Sequence, residues 1–232
     1  MKKIVLVLVT GLLFSSINSI KAATLIDAWD FFNLPNATNA TPATITATVG
    51  TGSLDLSAFG LGSPQGTSPE RTSFGGSQLN TFSGSVDTTG AGTALAIANS
   101  SANGKSLIFS FSMTGYESLV VTFATRGTAT GYNSGVWAWS TDGINYTTLT
   151  GVNTATRNTT FAVATADFST EIGLNNAATA YLEYTLSGCT SSSGNNRLDN
   201  IQFNVTPVPE PSTLALSLVG GLAGLVALRR KR

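Results

Sequence analysis

Residues 106–113 place Leu107, Phe109, Phe111 and Met113 on one face, with Ser106, Ser110 and Ser112 on the other. That period of two predicts a half-buried strand. After Thr114 and Gly115 the pattern restarts over 119–123, aligning Leu119, Val121 and Phe123. Segments 136–140 and 146–149 flank Asp142-Gly143, a dipeptide that favours hairpins because glycine accepts positive φ. Further strands are predicted over 159–164, 180–186 and 198–205, and softer ones over 44–49, 53–56 and 94–98. Stretches 33–48 and 60–76, rich in small polar residues, Gly and Pro, are predicted as long loops or irregular edges. No segment before Ser212 carries a long helical period. Many short strands separated by Gly and Asn turns predict an all-β fold, a jelly-roll β-sandwich.

The two ends break this pattern. Lys2 and Lys3 precede an apolar stretch over 4–14 and small or polar residues over 15–23. This is the layout of a secretory signal peptide, residues 1–22, with cleavage expected after Ala22. Its route implies a Sec translocon and a signal peptidase as partners. At the other end, 212–228 is apolar and would span about 26 Å as a helix at ~1.5 Å per residue. That falls slightly short of the ~30 Å hydrocarbon core, so a single, marginal transmembrane helix is predicted. Gly220, Gly221 and Gly224 weaken it but permit close approach by another helix. Arg229, Arg230, Lys231 and Arg232 resist crossing and set the orientation, N-terminus outside. Between the ends lies an ectodomain, 23–206, joined to the span by a short linker, 206–208.

Charge changes the picture once the ends are set aside. The formal net charge is zero. Seven of the twelve cations, however, sit at Lys2, Lys3, Lys21 and 229–232. The body over 23–208 keeps five cations (Arg71, Lys105, Arg126, Arg157 and Arg197) against eleven acids, a charge near −6. An acidic surface argues against nucleic acid and anionic lipid. There is no histidine. That removes Ser-His-Asp and Cys-His nucleophile systems, His-ligated zinc and the commonest general base. Cys189 is alone, so no internal disulfide forms, and it reads as a half-buried small hydrophobe.

Two stretches carry a resemblance. Val208-Pro209-Glu210-Pro211-Ser212, an apolar run and a terminal Arg/Lys cluster resemble the PEP-CTERM sorting signal of Gram-negative bacteria. Pro209, Glu210 and Pro211 match its motif, and Arg229 to Arg232 match its basic tail. The resemblance implies processing by an exosortase-type membrane enzyme. It also implies a transient inner-membrane anchor and delivery to the cell surface, outer membrane or exopolysaccharide matrix. The second stretch comprises residues 123–131, 139–146 and 197–201, which are similar to the β-sandwich ectodomains of such proteins. Those in turn resemble galactose-binding-like, carbohydrate-binding jelly rolls. In such folds an Asp of the last strand often helps hold a structural Ca²⁺. The matching position is Asp199, with Asp27 and Asp30 as candidate partners from the other chain end.

Trp137 and Trp139 lie two apart and share a face on a strand. They either pack into the core or form a platform for a sugar ring, as in a carbohydrate-binding module. Arg126 and Arg197 are expected in ion pairs with Asp142 or Glu183. A two-carboxylate glycosidase needs no histidine, but Glu117, Glu171 and Glu183 each stand singly in sequence. The expected function is therefore that of a non-catalytic, exported surface or matrix protein.

Overall fold

The computed structural model describes residues 22–35, 41–62, 68–86 and 92–208. The signal peptide core, Pro209 to Pro211, the 212–228 span and the basic tail lie outside these residues. Twelve strands make two sheets. The first holds β1 (Thr24–Trp29), β4 (Arg71–Gly75), β5 (Thr93–Ala98), β7 (Tyr116–Gly127), β10 (Ala162–Asp167) and β12 (Asn195–Pro207). The second holds β2 (Thr44–Thr46), β3 (Ser53–Asp55), β6 (Lys105–Phe111), β8 (Ser134–Ser140), β9 (Thr147–Thr148) and β11 (Ala180–Ser187). The chain crosses between sheets at every step from β5 to β8 and again from β9 to β12. This is the winding of a jelly roll, and the ladders are antiparallel. Helix is confined, among the described residues, to two short 3₁₀ turns, Ser100–Ala102 and Ile172–Leu174. No helix among them is long and apolar enough to cross a membrane.

Alternation explains the core. Leu107, Phe109 and Phe111 of β6 and Leu119, Val121 and Phe123 of β7 all point inward, as their period of two requires. Between the sheets, aromatic rings form one connected cluster. Trp137 stacks on Tyr184 at 4.3 Å between centroids and meets Phe109, Phe123 and Phe168 at about 6 Å. Trp29 meets Phe109 and Phe203 edge-on at 5.3 and 5.2 Å. Each such pair adds about 0.5–1.5 kcal/mol beyond its burial.

Two strands lie where the sequence predicts none. β1 pairs with the far half of β12, Thr24 opposite Val205 and Trp29 opposite Ile201. β4 runs through a stretch predicted as loop because its inward residues are polar. Arg71 is buried and its guanidinium donates to the carbonyls of Thr41, Leu56 and Phe59, while Ser73 donates to Pro35 O. A charge that ties three loop carbonyls together hides a strand from any hydrophobic pattern. The expected linker is also absent: Thr206 and Pro207 pair with Glu117 and Tyr116, and the Val208 amide donates to Gly115 O at 2.8 Å. The sandwich therefore runs two residues past its expected end.

Candidate functional site

β12 has β7 along one edge, but its other edge changes partner. Residues 195–198 pair with β5, and residues 201–205 pair with β1. Asp199 and Asn200 sit at the changeover, where the ladder to β7 also slips. Asn200 takes φ 48°, a left-handed conformation that asparagine tolerates. Both side chains are fully buried and serve the strap after β4. Asp199 accepts from the Ser77 amide at 2.7 Å and the Asn200 amide at 3.0 Å. Asn200 Nδ2 donates to Ser77 O and Leu79 O, and Asn80 Nδ2 donates back to Asn200 O. The Arg-Leu-Asp-Asn-Ile stretch is thus a strand switch held shut by side chains.

Asp27 and Asp30 do not join it. Asp27 stands opposite Phe203, four positions further along β12, and accepts the amides of Thr51 and Gly52. Burial, opposed by those two amides, raises its pKa. Asp30 accepts from Thr48 Oγ1, Phe32 N and Val86 N. No group of three acidic, Cys or His side chains converges among the described residues. Calcium needs six to eight oxygens, and these three carboxylates, each engaged by separate amides, do not fit a shared clasp.

The two tryptophans part company. Trp137 is 1% exposed and its Nε1 donates to Thr154 Oγ1, which donates on to the Tyr184 hydroxyl. It presents no face to a sugar. Trp139 is half-buried, lies against Gly173 and donates to Glu171 Oε2 at 2.9 Å. A period of two aligned them correctly, but the face they share is the inner one. Glu171 is thereby engaged, Glu117 belongs to the first sheet and Glu183 to the second.

The expected ion pairs of Arg126 and Arg197 are not formed. Asp142 instead closes the β8–β9 hairpin, accepting the Ile144 and Asn145 amides at 2.8 Å and Asn145 Nδ2 at 2.7 Å. The Asn145 bonds lead in holding its pKa far below the ordinary value. Arg126 and Arg197 face one another across the β7–β12 ladder. Each guanidinium lies over a ring, Arg126 over Phe161 at 5.7 Å and Arg197 over Phe74 at 4.8 Å. The other body cations have partners: Lys105 binds Glu70, Arg71 its three carbonyls, and Arg157 the carbonyls of Gly131 and Gly188. Cys189 is buried in the core cluster, a free thiol donating to Ser191 O.

At the chain's end the fold and the terminal segment meet without a gap, since β12 is paired through Pro207. Residues 207–232 match the PEP-CTERM protein-sorting motif. The PEP-CTERM segment therefore begins inside the last strand. No curated protein matches the chain. Among solved structures it is similar to the CBM22-1 xylan-binding domain of Paenibacillus barcinonensis Xyn10C. That match has 9% identity, covers 82% of this chain and 100% of that one, and has a TM-score of 0.43. It is similar too to TmCBM61 in complex with β-1,4-galactotriose (11% identity, 58% and 81% covered, TM-score 0.33). A third is the K1 cleaved adhesin domain of Lys-gingipain from Porphyromonas gingivalis W83 (12% identity, 78% and 97% covered, TM-score 0.38).

Proposed function

We propose that this chain is an exported, non-catalytic β-sandwich, sorted to the cell surface or exopolysaccharide matrix through its PEP-CTERM segment. One observation carries the reading: residues 207–232 match the PEP-CTERM sorting motif, and the described sandwich reaches only its first two residues, 207 and 208. That segment serves as an address. Signal peptide 1–22 delivers the chain, the 212–228 helix holds it N-out and C-in, and the basic tail prevents further passage. An exosortase-type enzyme then acts near Pro209, Glu210 and Pro211. The absence of histidine and the engagement of Glu171 by Trp139 support a non-catalytic role.

Mass spectrometry of the native protein tests this. A C-terminus between Pro209 and Ser212, on material recovered from the surface or matrix, is the expected result. An intact Arg232 on soluble cytosolic protein would overturn it.

A further inference from the structure

The outer face of the first sheet brings two cations together. Thr72, Ala96, Arg197 and Arg126 follow one another in a single row across β4, β5, β12 and β7. Two like charges directly opposite on a sheet repel and destabilise it. This body has only five cations, and two of them are placed together with no carboxylate in an ion pair with either among the described residues. Asp199, two residues along the same strand, is turned toward the Ser77 and Asn200 amides.

The rings of Phe74 and Phe161 hold the two guanidinium planes in place without consuming their N–H donors. Arg197 gives one Nη to Gly75 O, while its Nε–H is buried and has no partner. That Nε–H is closed to any ligand as well as to solvent, so a carboxylate would be met by the other guanidinium donors of Arg197 and Arg126. Burial, and after it the Arg126 charge, lowers the Arg197 pKa, which an incoming anion would reverse. Beyond Phe74 the same face opens into a cavity of about 240 Å³ with mainly apolar walls, lined by Pro69, Phe74 and Ala98 together with Thr72, Ser193 and Asn195. Hydroxyls and an amide beside a pair of fixed cations suit a ligand that is both polyhydroxylated and negatively charged.

We infer that this face binds an anionic saccharide, its carboxylate held between Arg126 and Arg197 and its hydroxyls entering the cavity beside Phe74. The site stands on the sheet's own geometry and does not depend on where the protein is finally sorted. It differs from a tryptophan platform, because charge selects the ligand.

The test titrates the full-length protein in detergent with polygalacturonate, with the same polymer fully methyl-esterified, and with inorganic phosphate. The expected result is binding of polygalacturonate that weakens with added salt, and none of the esterified polymer. The double change Arg126→Gln, Arg197→Gln should weaken binding at least about tenfold, the scale of one lost charge-assisted hydrogen bond. Its melting temperature should fall, because the Arg197 change removes the bond to Gly75 O and the contact with Phe74, so Arg126→Gln alone is the fold-neutral variant. Arg126→Gln breaks no buried hydrogen bond, so it remains readable should the Arg197 change prevent folding. Equal binding of the esterified polymer, undiminished binding by the Arg126→Gln protein, or no polymer binding would overturn the inference. Phosphate binding as tight as polymer binding would also overturn it, by showing an unselective anion site.

Discussion

Trp137 and Arg197 stand in opposite regions of one sandwich, and each inverts what its residue type suggests. The tryptophan, the side chain most suited to a sugar, is enclosed between the sheets against Phe109, Phe123, Phe168 and Tyr184. The arginine, expected in a structural ion pair, faces outward beside a second arginine. Around Trp137 the interior is closed: Trp137 Nε1, Thr154 Oγ1 and Tyr184 Oη answer one another. The outer face is open, with two like charges opposite one another and neither paired with a carboxylate among the described residues. The lesson is that recognition chemistry is better sought where bonding is incomplete than where the residue types look promising.

Substitutions can break that contrast. Trp137→Ala should have the largest effect, destabilising the protein by about 3–5 kcal/mol in urea unfolding, because a cavity opens inside four ring contacts. A loss below about 1 kcal/mol would mean that the interior is less closed than described. Asp199→Ala should cost about 1–3 kcal/mol by leaving the Ser77 and Asn200 amides without their acceptor. Because no three carboxylates converge among the described residues, EDTA should leave the melting temperature of the native protein unchanged. A downward shift would restore the calcium clasp.

The acid limb sharpens the comparison further. Burial works against Glu70, but Lys105, the Gly60 amide and Ser101 together hold its pKa below the usual carboxylate value of 4.5. Its stabilisation is therefore present above that value and disappears as pH falls through the lowered one. Asp27 has the opposite sign. Its raised pKa means that ionisation disfavours the fold, so stability falls as pH rises from the unfolded value toward the folded one. Thermal melts against pH should show Glu70→Gln flattening the acid loss, and Asp27→Asn removing the small decline above it. The smallest effect belongs to the outer face. Arg126→Gln should change stability by no more than about 0.5 kcal/mol, or raise it slightly by relieving like charge. A large loss would make the arginine a structural element.

Much of this was legible in the chain. β6, β7 and β11 follow from alternation, and the β8–β9 hairpin follows from Asp142-Gly143, whose glycine takes φ 71°. β4 was not legible because Arg71 and Ser73 point inward to satisfy carbonyls, which reads as a polar loop. The shared face of Trp137 and Trp139 was legible, but not its direction, since Val136 and Ala138 on the opposite face are also apolar. The partners of Arg126 and Arg197 were not legible. Complementary charge suggested acids, whereas the register between β7 and β12, some 70 residues apart, placed the two arginines together.

The bond from Val208 to Gly115, with Thr24 lying opposite Val205, has a further consequence for handling at the membrane. Both ends of the described body therefore leave from one pole of the sandwich, next to each other. Fully extended, three residues such as Pro209, Glu210 and Pro211 reach at most about 10 Å. Any protease or transferase reading those prolines must either fit its catalytic cleft against the Gly115 turn or wait for the final stitches of β12 to fray. Timing of release would then be set by local breathing of that seam as much as by enzyme affinity.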